Sequence, residues 1–139
     1  MRTYAVRRDL IPRGKVALFA RLRADFEAMP DLDPADVVSC HAVCRALAMR
    51  HPVRFVDGWF MEVGSDHSWI DMGDGVVADM YPIGGTAPFM VDASHWMVPW
   101  NRLYIEKPDL LDHGNRDRAR HDQVALLLVA ALEEIDRQV

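Results

Sequence analysis

The stretch His67-Ser68-Trp69-Ile70-Asp71-Met72-Gly73-Asp74-Gly75-Val76-Val77-Ala78-Asp79-Met80-Tyr81-Pro82 decides the fold. Two runs with strand composition flank Gly73-Asp74-Gly75, which predicts an antiparallel hairpin. Strand side chains alternate, so His67, Trp69 and Asp71 share one face of the first strand, and Val77, Asp79 and Tyr81 share one face of the second. Paired residues point to the same side of a sheet, so only an odd-numbered connection brings His67 and Asp79 together. A loop of Met72 to Asp74 sets them directly opposite, a loop of Gly73 to Gly75 makes them diagonal neighbours, and a two-residue turn separates them. Asp79 stands in an otherwise apolar strand. Burying a lone carboxylate is costly, and an imidazole N–H is a suitable partner. Asp71 is the reserve candidate for the same role.

Upstream, Val53 to Val63 is rich in β-branched and aromatic residues and reads as a strand, bent or bulged at Gly58. Gly64-Ser65-Asp66 reads as the turn leading into His67. The segment before Val53 allows two readings. Either one helix runs from Pro34 to about Arg50, with Asp33 and Pro34 opening it, or a single turn over Pro34 to Val38 yields to a second helix that begins at Ser39. The chemistry prefers the second, because a thiolate at Cys40 gains from exposed amides and the positive dipole end only in a helix's first turn. From Cys40 on, Val43, Cys44, Leu47 and Ala48 form the expected inward stripe, with Arg45 and Arg50 on the outer face. Earlier still, Val16, Phe19, Leu22, Phe26 and Met29 recur at helical spacing across Arg13 to Ala28.

Downstream of Pro82 the pattern weakens. Ile83 to Pro88 reads as a loop, and the stretch to Asn101 carries Trp96, Pro99 and Trp100. Together with Pro88 and Phe89 these form either a contact surface or additional core. Leu103 to Glu106 reads as a short strand. A last helix opens at Asn115 or Asp117 and runs to about Arg137, with Val124, Leu127, Leu128, Ala131 and Ile135 as its buried stripe. With no repeat and no second domain in view, the expectation is one α+β domain over residues 1–139, its helices packed on a small antiparallel sheet.

At 139 residues, half of them hydrophobic, the chain is long enough to bury a core without staples. Its formal charge is −5, and its basic residues are interleaved with acids near the two ends. No one-sided basic stripe points to nucleic acid. No apolar run approaches the roughly eighteen residues of a membrane span, and no signal-like segment follows the N-terminus, so a cytoplasmic address is expected. The two cysteines, Cys40 and Cys44, lie four apart on one expected helix. That spacing does not suit a disulfide, so both are expected as free thiols.

A thiol opening a helix, then an imidazole and a carboxylate on successive strands, can form a relay of nucleophile, base and orienter. Cys40 fits the first place better than Cys44, which sits a full turn deeper. Trp69 walls the same face as His67 and can exclude water from it; with Trp59 and Tyr81 it makes up the expected substrate-contacting set. The order Cys40, then Pro52-Val53-Arg54-Phe55-Val56-Asp57-Gly58-Trp59, then His67-Ser68-Trp69-Ile70, then Asp79 resembles the transglutaminase-like branch of the papain-like cysteine enzymes. The likeness spans about the middle third of the chain. It departs from the family pattern in a shorter helix after Cys40 and in the two residues that part Asp79 from Pro82.

The resemblance implies a papain-like core with Cys40 as nucleophile, His67 as general base and acid, and Asp79 as the group that orients the imidazolium. It implies acyl transfer or hydrolysis on a peptide or protein amide through a thioester, with no cofactor. Two other readings compete with it. Cys40, His41, Cys44 and His51 crowd one helix near His67 and suggest a zinc site, although no second Cys pair or familiar His pair accompanies them. A binding or regulatory module without turnover is the other.

Overall fold

The computed structural model describes residues 11–32, 38–60, 65–82, 87–92, 104–108 and 115–138. Among these lie three helices, α1 (Arg13–Ala28), α2 (Cys40–Arg50) and α3 (Asn115–Arg137). Five strands, β1 (Arg54–Phe60), β2 (Ser65–Asp71), β3 (Val76–Asp79), β4 (Phe89–Asp92) and β5 (Tyr104–Glu106), form one antiparallel sheet in the order β4-β3-β2-β1-β5. The α+β expectation therefore holds. The N-terminal lead-in, the Asp33-Pro34 breaker, Ile83 to Thr86, and Trp96, Pro99 and Trp100 lie outside the described residues.

The central hairpin closes through the three-residue alternative. Ile70 pairs with Ala78 and Asp71 with Val77. The Met72 N–H donates to the Val76 carbonyl at 2.9 Å and Val76 N–H to the Gly73 carbonyl at 3.0 Å, leaving Gly73, Asp74 and Gly75 as the loop. All three have positive φ, at 82°, 55° and 75°, a conformation that glycine adopts without strain and that aspartate tolerates better than most residues. The odd count puts His67 and Asp79 on one face as diagonal neighbours.

One face of the sheet carries Ile70, Met72, Val76, Ala78, Met80 and Met90 into the main core. There they meet Leu18 and Leu22 of α1, Val43, Cys44 and Leu47 of α2, and Val124 and Leu128 of α3. Each fully buried aliphatic side chain of this kind contributes about 1.5–3 kcal/mol. The other face holds a smaller cluster of Val56, Trp69, Val91 and Tyr104, with Phe60, Val77 and Phe89 packed against it. Phe89 thus belongs to edge strand β4 and packs as additional core, one of its two expected readings.

Helix α2 is the element enclosed on all sides, with every residue from His41 to Leu47 buried. This corrects the expected outer-face position of Arg45, which is only 2% exposed. A helix sandwiched between a sheet and a second helix has no outer face over its middle turns, so a polar residue there must find partners. Two further stripes shift by about one position. On α1, Val16 is exposed and Leu18 takes its place; on α3, Leu127 and Ile135 are exposed while Ala125 and Leu132 are buried.

Strand β1 runs through Gly58 without a bulge, pairing it with both His67 and Glu106. Glycine is required here for close approach. A Cβ at this position would lie 2.0 Å from the Ile105 carbonyl oxygen and 2.6 Å from the Trp69 ring.

Candidate active site

The helix-opening reading of Cys40 has a local cause. Ser39 is extended, at φ −115° and ψ 168°, and its hydroxyl accepts from the Ala42 N–H at 3.4 Å as the cap of α2. Cys40 is then the first helical residue, where backbone amides lack intrahelical partners. The described β2–β3 pairs extend no further toward His67 than Ile70 with Ala78, and α2 packs against β2. Cys40 lies close enough to the His67 ring and the Ser68 backbone for both to favour its thiolate. This brings the sulfur to the histidine although His67 lies on the sheet face opposite the main core.

Asp79 lies on the far side of the ring. His67 Nε2 is 2.9 Å from Asp79 Oδ2, which leaves Nδ1 for the sulfur. The same carboxylate oxygen accepts from Tyr104 Oη at 2.8 Å, and Oδ1 accepts from the Tyr81 N–H at 3.3 Å. The three side chains expected to converge are thus brought together. They are graded in depth: Cys40 is half-buried and reachable, whereas His67 and Asp79 are each 1% exposed.

Burial opposes charge on both Cys40 and His67, and the partners outweigh it on both. For Cys40, desolvation pushes the thiol up, but the His67 hydrogen bond, the charges of His41 and His67 and the Ser68 amide bring it below its ordinary value. For His67, desolvation pulls the imidazolium down, but hydrogen bonds and charge from Asp79 and Cys40 raise it to about 9. Both shifts favour thiolate beside imidazolium. Cys44 goes the other way: complete burial, then the nearby negative charges, push its thiol well above the ordinary range. It is core.

Of the expected substrate-contacting residues, Trp69 is buried in the wall of the site, 5.1 Å from Tyr104 and 6.4 Å from His67 between ring centroids. Trp59 and Tyr81 are not gathered there. Trp59 is one residue out of phase with Gly58, the partner of His67, and so points to the opposite face. Tyr81 follows the end of β3, is 47% exposed, and sets its ring edge-on to Phe26 of α1 at 6.1 Å. Asp71, the reserve carboxylate, pairs with Arg54 at 3.0 Å.

A second buried polar group lies on the main-core side of β2. Arg45 donates from Nη1 and Nη2 to the two oxygens of Asp57 at 2.9 and 2.6 Å, and from Nε to Asp122 at 2.9 Å. Ser68 Oγ donates to Asp57 Oδ1 at 2.5 Å and lies 2.5 Å from His41 Nδ1, while His41 Nε2 is 3.2 Å from Asp66 Oδ2. Burial tends to raise the Asp57 carboxyl, yet these partners hold it well below its ordinary value. Against desolvation, Asp57, Cys40 and Asp66 raise His41.

Sequence reasoning missed Tyr104, weighed His41 only as a candidate metal ligand, and gave no role in the site to Arg45, Asp57 or Ser68. The pairing of Asp57 with Ser68 follows from the β1–β2 register and was the available signal. The residues weighed as a metal cluster have diverged: His51 Nε2 is 2.7 Å from Asp25, His41 is engaged by Ser68 and Asp66, and Cys44 is enclosed. Among the described residues no group of three or more His, Cys, Asp or Glu is arranged to hold an ion. No described helix is long and apolar enough to cross a membrane. No protein-family model, curated protein or solved structure matches the chain.

Proposed function

We propose that this chain is a cysteine-dependent acyl-transfer or amide-hydrolase domain with a transglutaminase-like, papain-like core, working in the cytoplasm on a peptide or protein amide. One observation carries the reading: a half-buried thiol at the first residue of α2 adjoins a buried imidazole, near enough for each to favour the other's charged form, and the imidazole's Nε2 meets a buried carboxylate at 2.9 Å. The three come from separate elements, and the order of proton-holding groups suits the chemistry.

In the proposed cycle the Cys40 thiolate attacks the amide carbonyl carbon, and the carbonyl π pair moves onto oxygen. The Cys40 N–H at the helix start faces that oxyanion. The intermediate collapses by breaking the C–N bond, with the His67 Nδ1 proton going to the leaving amine. Water or a second amine then attacks the thioester, its proton passing to the now neutral His67, and Cys40 leaves as thiolate. Asp79 keeps Nε2–H pointed and stabilises the imidazolium at each stage. Trp69, Tyr104 and Phe60 keep bulk water from the ring, which lies 5.8 Å from Phe60 between centroids.

The test is alkylation by iodoacetamide across pH, followed by intact mass, on the parent and on Cys40→Ala, Cys44→Ala and His67→Ala. One fast site at Cys40 is expected, reactive below the pH at which a free thiol near 8.5 falls silent. That acid-side reactivity weakens in His67→Ala. Fast labelling at Cys44, or ordinary thiol behaviour at Cys40, overturns the proposal.

A further inference from the structure

The hydroxyl of Ser68 carries one proton and touches two groups, which fixes the protonation of a third. Its Oγ is 2.5 Å from Asp57 Oδ1 and 2.5 Å from His41 Nδ1. Asp57, held by both terminal nitrogens of Arg45, is a carboxylate and can only accept. The Ser68 proton therefore points at Asp57, and Ser68 Oγ must accept from an Nδ1–H of His41. At the opposite edge of the ring, Nε2 faces Asp66, which also accepts. An imidazole with acceptors at both nitrogens carries a proton on each.

We propose that His41 is a positioning residue for the chemistry of Cys40: a histidine locked as imidazolium by the Arg45–Asp57–Ser68 chain, supplying a standing positive charge beside the sulfur that does not depend on His67. The inference rests on Cys40 being the reactive group. His41 follows Cys40 in the first turn of α2, is 4% exposed, and interacts electrostatically with the sulfur. The groups facing it are Cys40 and Arg45 from α2, Asp57 from β1, Asp66 and Ser68 from β2, and His121 of α3, whose ring centroid is 4.7 Å away. Anionic partners therefore surround the ring on the β1, β2 and sulfur sides. Arg45, whose Nη1 donates to the His41 carbonyl at 3.2 Å, has its own charge matched by Asp57 and Asp122.

The consequence concerns the second half of a cycle. His67 alternates between charged and neutral as it gives and takes protons, so it cannot hold the sulfur's charge down throughout. His67 is neutral in the acyl-enzyme, until the attacking water or amine gives it a proton; the charge on His41 persists through that stage and adds to the restored His67 imidazolium when Cys40 leaves the tetrahedral adduct. Two imidazoles flank the thiol with different duties: one moves a proton, the other holds its protons.

The test reads ionisation, not turnover. In the parent protein at pH 8, nitrogen-15 spectra should show both His41 ring nitrogens protonated, and should still do so in His67→Ala. The Cys40 titration, followed by thiolate absorbance or by alkylation rate, should move up by roughly one unit in His41→Asn, about tenfold in acid-side rate. It should move by a smaller amount in Asp66→Asn, an exposed position whose substitution leaves the core intact. In His67→Ala/His41→Asn it should reach the ordinary thiol range. A neutral His41 ring at pH 8, or a Cys40 titration unmoved by Asp66→Asn and His41→Asn but raised by His67→Ala, overturns the proposal and leaves the Cys40–His67 reading standing. An ordinary titration in the parent removes that reading itself.

Discussion

Two consecutive residues of β2, His67 and Ser68, serve two different polar groups on opposite faces of one sheet. His67 belongs to a short relay that ends on Asp79 and the neutral hydroxyl of Tyr104, walled by aromatic rings. Ser68 belongs to a chain with two full cations, one buried carboxylate and two exposed ones, set among the helices. The first has one proton free to move along a single nitrogen-sulfur contact. The second is held fast: Arg45 donates from all three of its nitrogens, and the Ser68 hydroxyl donates to Asp57. Cys40 sits where the two meet, and mobility is confined to one of them.

The comparison breaks most readily at His67. His67→Ala should cut acyl transfer to an amide or thioester substrate on the order of 10³-fold or more, while a circular-dichroism melt shows a folded protein. Loss of fold in place of loss of rate would make this group structural as well. The opposite pattern belongs to Asp57. Asp57→Ala leaves the Arg45 charge buried with one partner fewer and should cost about 3–5 kcal/mol by urea titration. An effect below about 1 kcal/mol would mean that the second group holds nothing together. Because the Asp57 carboxyl is depressed in the fold, its contribution is present above the unfolded value of about 3.9 and is lost as pH falls through the lower folded value. The acid limb of stability should therefore flatten in Asp57→Asn.

Smaller effects sharpen the contrast. In the parent, amide cleavage should decline as pH rises through about 9, where His67 loses the proton owed to the leaving amine, while alkylation of Cys40 continues. Decline of both together would assign the alkaline limb to unfolding. Tyr104→Phe removes one hydrogen bond to Asp79 and should lower stability by about 1 kcal/mol, with a fewfold change in rate. A null result on both measures would detach Tyr104 from the relay.

The parity argument explains why the relay was legible and the second group was not. Alternation plus an odd turn count is enough to put His67 and Asp79 together from sequence, and Ser39 announces the start of α2 by its capping chemistry. Arg45 resisted because helical periodicity assumes one wet face, and α2 has none over its middle turns. Leu127 and Ile135 were drawn into the α3 stripe by the same assumption; a three-or-four spacing admits two adjacent stripes and does not choose between them. Strand β4 has only four residues, too few for alternation to stand out, and Tyr104 lies on a three-residue strand paired to β1 from far along the chain. Of the aromatic residues near His67 in sequence, Trp59 is turned away by the β1–β2 register, and Tyr81 lies beyond the end of β3.

The enclosure of Cys44 bears on how this protein meets oxidants. Peroxide reaching Cys40 would leave a sulfenic acid, and the 139 residues hold one other sulfhydryl, sealed in the interior one helical turn below. Repair must therefore come from an outside reductant, so the chain's tolerance of oxidative stress follows the thiol pool around it.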